Sequence, residues 1–170
     1  MNENAWNFVS VVYTGSAVHH YLNGRLVHQS TRTLNTGSHT ALWVNAEIGG
    51  ADTYVTDKFY IADLAVYNIQ KRSGNFLPPT TTVANTTNTK VLTAQYSGAV
   101  RNLGVLDDSK HNSLVTRVGN TALGSFTPYS APDGYWSCYL DGNHPMEVPD
   151  TNSALDLPGD FTVEFWAYEP

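Results

Sequence analysis

The stretch FTPYSAPDGYWSCYLDG (residues 126–142) has the build of the opening of a β-domain. Pro128, Pro132 and Gly134 punctuate its start, an alternating run follows, and Asp141-Gly142 supplies a turn. It nevertheless begins only 45 residues before the end of the 170-residue chain, too few for the domain it introduces. Either residues from elsewhere finish the domain, or the chain carries its parts in an unusual order.

Upstream, the sequence is β-rich and almost free of helical periodicity. WNFVSVVY (6–13) is β-branched and aromatic with apolar groups on both pleat faces, as in a buried strand. AVHHYL and RLVHQS flank Asn23-Gly24, the strongest short hairpin signal, because a type I′ turn needs positive φ at both central residues. LWVNAEI (42–48) alternates, with Leu42, Val44, Ala46 and Ile48 on one face and Trp43, Asn45 and Glu47 on the other. FYIADLAVY (59–67) is another two-faced strand. Residues 73–90 read as a Thr/Pro/Asn-rich linker with nothing to bury. VLTAQY (91–96), SLVTRVG (113–119), YWSCYLDG, MEVP and FTVEFWAYEP resume strand character, giving about ten strands and an all-β antiparallel sandwich.

Composition narrows the function. Charged residues are 14% of the chain, against roughly 25% in ordinary soluble domains, so Thr, Ser, Asn and Gly must supply the polar surface. That balance suits extracellular or virion proteins. With a net charge of −6 and scattered Lys and Arg, the chain lacks the basic stripe that nucleic-acid binding requires. The single cysteine, Cys138, rules out an intrachain disulfide and a multi-cysteine zinc site. No run of 18 apolar residues predicts membrane insertion, and the first 20 residues lack the pattern of a signal peptide.

Here the pieces resemble the laminin G-like, concanavalin A-like jelly rolls of phage and marine microbial surface proteins. The resemblance is carried by Gly134 to Gly142, MEVP at 146–149 and Asp160 to Trp166 for the opening half of such a domain. Trp6 to Tyr13, Tyr21 to Gly24, Ile48 to Gly50 and Ile61 to Tyr67 correspond to its closing half. The halves stand in reversed order: residues 1–72 carry the closing strands, 73–90 the linker, and 91–170 the lead-in and opening strands. A single circularly permuted sandwich is the preferred arrangement, and a chain straddling two modules is the other. In both, the family's middle strands between FWAYEP and NENAWNF are missing. Uncovered edges near those two segments are therefore expected to meet other protein chains of the same assembly.

The resemblance implies a non-catalytic structural or adhesive module of a virion or secreted surface assembly, with cell-surface glycan as a further partner. A self-contained lectin is the alternative, and a glycan-cleaving enzyme is the least supported. Glu164 and Glu169 have opposite parity and cannot flank one glycosidic bond from a regular strand. The aromatic Trp43, with Asn45, Glu47 and Tyr54, is the candidate glycan platform. Asp107, Asp108 and Asn112 offer hard oxygens to calcium, the one cofactor considered, or form a plain Asx-turn. His19 and His20 point to opposite faces, leaving at most a two-His pair with His28 across the hairpin. Asp63 is expected to hydrogen-bond nearby backbone, because an uncompensated buried carboxylate is costly.

Overall fold

The computed structural model describes residues 2–34, 41–44, 58–95, 107–117, 119–142, 144–150 and 153–170. The fold is all-β, an antiparallel sandwich of one large and one small sheet. The strands in chain order are β1 (Trp6–Tyr13), β2 (Ala17–Leu22), β3 (Arg25–Thr31), β4 (Ala41–Val44), β5 (Phe59–Tyr67) and β6 (Thr89–Thr93). They continue with β7 (Thr116–Arg117), β8 (Ala122–Gly124), β9 (Ser137–Leu140), β10 (Met146–Pro149) and β11 (Phe161–Tyr168). The large sheet has eight strands in the order β3-β2-β1-β11-β5-β9-β8, with β6 also on β5; the small one runs β4-β10-β7.

The hairpin at Asn23-Gly24 forms as its residues require, with φ of 50° and 77°. The Asn23 side chain extends the turn into the sheet, its Oδ1 accepting the Phe8 N–H at 2.8 Å. The two sequence halves meet at the centre of the large sheet. β1 pairs with β11 along its full length, from Trp6 opposite Tyr168 to Tyr13 opposite Phe161. Both are therefore interior strands, and the uncovered edges expected at NENAWNF and FWAYEP lie elsewhere. Among the described residues the edge strands are β3, β6 and β8 in the large sheet and β4 and β7 in the small one.

β5 serves two neighbours on one side: Phe59–Ile61 pair with β9 and Leu64–Tyr67 with β6. The change occurs at Asp63, which has φ of 56° and donates its N–H to Ala94 O at 2.9 Å. A left-handed Asp is tolerable because its short polar side chain can bond locally, and it bulges β5 against β11 between Glu164 and Trp166.

The faces of the large sheet bury different things. Its inner face packs Ile61, Leu64, Val66, Val91, Cys138 and Leu140 against Met146 and Val148 of β10, with Leu42 and Val44 of β4 alongside. Each such fully buried side chain contributes about 1.5–3 kcal/mol. Its outer face presents Phe8, Ala65, Tyr67 and Leu92, and here the supposed linker departs from expectation. Residues 68–88 form a strap across this face. Phe76 meets Phe8 edge-on at 6.0 Å and Tyr21 at 5.5 Å, and Val83 packs on Ala65, Tyr67 and Leu92. The segment has two apolar residues to bury after all, and β6 begins at Thr89, within the span read as linker.

Candidate functional site

The strap is fastened by polar groups on β5 and β11. Thr162 Oγ1 accepts the Lys71 N–H at 2.9 Å and donates to Ile69 O at 2.8 Å. Two residues along β11, Glu164 is fully buried and receives Arg72 in bidentate fashion, Nε to Oε2 and Nη2 to Oε1 both at 3.1 Å. The Arg72 guanidinium also lies 4.2 Å from the centre of the Phe76 ring, so one cation holds strand and strap together. Lys71 sits 3.8 Å above the Tyr67 ring, and burial lowers its pKa against the opposing pull of Glu164.

A second network surrounds Asp63, which is 1% exposed. Its carboxylate accepts the Val83 N–H at 3.0 Å, the Tyr129 hydroxyl at 2.8 Å and the Gln95 amide. Gln95 also donates to Val83 O at 3.0 Å, and Trp166 Nε1 donates to the Tyr129 hydroxyl at 2.8 Å. Burial raises the Asp63 pKa, and the donors from Gln95, Tyr129 and Val83 oppose that shift. The Tyr129 hydroxyl is pushed well above its ordinary range by burial and then by Asp63. As the sequence led us to expect, Asp63 does bond backbone, but that of the strap 20 residues away. The carboxylates of Asp63 and Glu164 are both occupied by structural donors, and Glu169 lines the inner side while Glu164 is on the outer.

The inner side holds an apolar cleft. A cleft of about 630 Å³ opens between the sheets, lined by Val9, Leu22 and Val27 of the large sheet's first strands, Val163 and Phe165 of β11, and Val44 of β4. His20, Lys58 and Glu169 line it as well. β4 pairs only with β10, so its other edge has no partner among the described residues. β3 is exposed almost throughout, with Val27 at 60% and Leu26 at 43%.

The residues singled out from sequence fare unequally. Trp43 lies on β4 opposite Glu147; Asn45, Glu47 and Tyr54 lie outside the described residues. Asp107 organises a turn: Oδ1 accepts the N–H groups of Leu92 and Ser109, and Oδ2 accepts the Ser113 N–H and the Ser109 hydroxyl, all at 2.9 Å. Asp108 N–H donates to Leu92 O at 2.6 Å, and Asn112, at φ 48°, donates its N–H to Ser109 O at 3.1 Å. The geometry is that of the Asx-turn. Among the described residues no group of three or more His, Cys, Asp and Glu gathers at metal-binding spacing. His20 and His28 form the cross-strand pair, ring centres 5.5 Å apart. Reading the sequence alone misses Arg72, Gln95 and Tyr129. The only local sign was Asp63 inside an apolar strand, an acid that had to find donors somewhere.

Compared with known proteins, the chain matches no family model, no curated sequence and no solved structure.

Proposed function

We propose that this is a non-catalytic structural module of an assembly, a sandwich whose cleft and open edges are completed by another protein chain. The observation that carries the reading is the apolar cleft beside the edge of β4 that has no partner among the described residues. Contiguous apolar surface of this kind marks interaction sites in folded proteins, and an unpaired strand edge is a template for a further strand. The engagement of Glu164 and Asp63 by Arg72, Gln95, Tyr129 and backbone supports a structural rather than a catalytic role. The resemblance to laminin G-like modules of phage and microbial surface proteins supports a virion or secreted setting, and with it an adhesive role toward surface glycan.

The test is sedimentation of the purified chain over a wide concentration range, beside Val27→Glu, which places a charge in the cleft at a residue already 60% exposed. Concentration-dependent association, weakened by Val27→Glu without loss of thermal stability, is the expected result. A wild type that stays a monomer up to its solubility limit overturns the assembly role.

A further inference from the structure

The outer face of the large sheet, beyond the strap, carries five aromatic rings in mutual contact. Phe126 lies stacked on Trp6, centroids 5.3 Å apart and planes 29° apart. Tyr168 and Tyr60 meet Phe126 edge-on at 4.6 and 4.9 Å, and Tyr139 continues the row from Tyr60 at 5.0 Å. The sheet dictates this convergence: Trp6 stands opposite Tyr168, Tyr168 opposite Tyr60, and Tyr60 opposite Tyr139, across four neighbouring strands. Phe126 comes from the segment before the 3₁₀ turn at Ala131–Asp133, and its carbonyl is pinned by the hydroxyl of the fully buried Ser137.

We infer that this cluster is a glycan-binding site, taking the C–H face of a neutral hexose ring on Phe126 and the rims of Trp6, Tyr60, Tyr139 and Tyr168. Phe126 is 43% exposed and the other four rings are half-buried, so the platform reaches solvent. The hydroxyls of Tyr60, Tyr139 and Tyr168 have no hydrogen bond to a described residue, unlike that of Tyr129 nearby. They are free to bond sugar hydroxyls at the border of an apolar patch, the arrangement a pyranose needs. Two observations select this occupant. Five partly covered rings offer far less than the roughly 800 Å² per partner that a stable protein interface buries. The cluster has no charged side chain and the chain carries −6, which disfavours acidic glycans. Anchoring by Ser137, and by Asn7, whose side chain bonds Asn2 and Ala5 beside Trp6, fixes the platform before binding.

This site rests on the adhesive part of the proposed function and is separate from the cleft. The experiment is an NMR titration of the full chain with cellohexaose, maltohexaose, laminarihexaose and mannohexaose, following the Trp6 indole N–H, with each variant's thermal midpoint measured alongside. At least one oligomer is expected to shift that resonance, with a Kd of about 1 mM for so small a contact. Phe126→Ala should then weaken binding about tenfold. Tyr139→Phe should weaken it severalfold with an unchanged thermal midpoint, and Trp43→Ala should leave it intact. Binding that survives Phe126→Ala and Tyr139→Phe but is lost in Trp43→Ala overturns this site while keeping an adhesive role. No shift with any oligomer at about 10 mM overturns site and adhesive role together, and leaves assembly to the sedimentation result.

Discussion

At the scale of single residues, the buried carboxylates of Glu164 and Asp63 should behave differently. Glu164 has one cationic partner, so Arg72→Met strands a charge that is fully buried. The cost should be about 3 kcal/mol in a urea titration, and adding Glu164→Gln should recover much of it. Asp63 is governed by burial, which raises its folded pKa above the ordinary 3.8. Between those two values the folded chain holds a proton that the unfolded chain has released, so rising pH removes stability across that window. The urea midpoint of wild type minus that of Asp63→Asn should therefore fall as pH increases from about 3.8. A difference that grows instead would show that Gln95, Tyr129 and Val83 outweigh desolvation. The parity of FTVEFWAY already put Glu164 on the face with Thr162 and Trp166. Nothing local could reveal a guanidinium 92 residues away.

Among the elements, the strap tests whether a segment without regular structure stabilises a sheet. At Gly24 a Cβ would stand 1.9 Å from Phe76 O, and the backbone there has φ of +77°. Gly24→Ala is expected to cost about 2 kcal/mol, by strain at the turn and by displacement of Phe76. Gly74, whose added Cβ would meet nothing within 4 Å, is the control: Gly74→Ala should change the thermal midpoint little. Strands β1, β2, β3, β5, β9, β10 and β11, and at least part of β4, β6 and β7, were legible because period-two patterns and turn residues are local signals. The strap was not. Thr80–Thr82 and Asn85–Asn88 look solvated by composition, and it is distant residues, among them Asp63, Phe8, Tyr21 and Tyr67, that give Phe76 and Val83 somewhere to go. β8, at three residues, is too short for its pattern to register.

For the molecule as a whole, the decisive pairing is β1 with β11, which joins the two halves of the sequence in one sheet. The resemblance pointed to their sharing a sandwich, but strand order depends on contacts between residues far apart and no local pattern encodes it. Asn4 N–H reaches Glu169 O at 3.3 Å, so the two ends of the chain lie side by side. A short glycine bridge from residue 170 to residue 2, with the chain reopened between Thr80 and Thr81, should give a protein that still unfolds cooperatively. Phe76 and Val83 would remain anchored on either side of the cut, and a molten product would refute this. One further property follows from Cys138. Its side chain is wholly enclosed between Ile61 and Leu123, and burial pushes its thiol up to about 12. A disulfide reagent attacks only thiolate it can reach, so the folded protein should be inert to it. Because no other sulfhydryl competes, the slow modification of the native chain becomes a stopwatch for the parting of β5, β9 and β8, readable without denaturant or label.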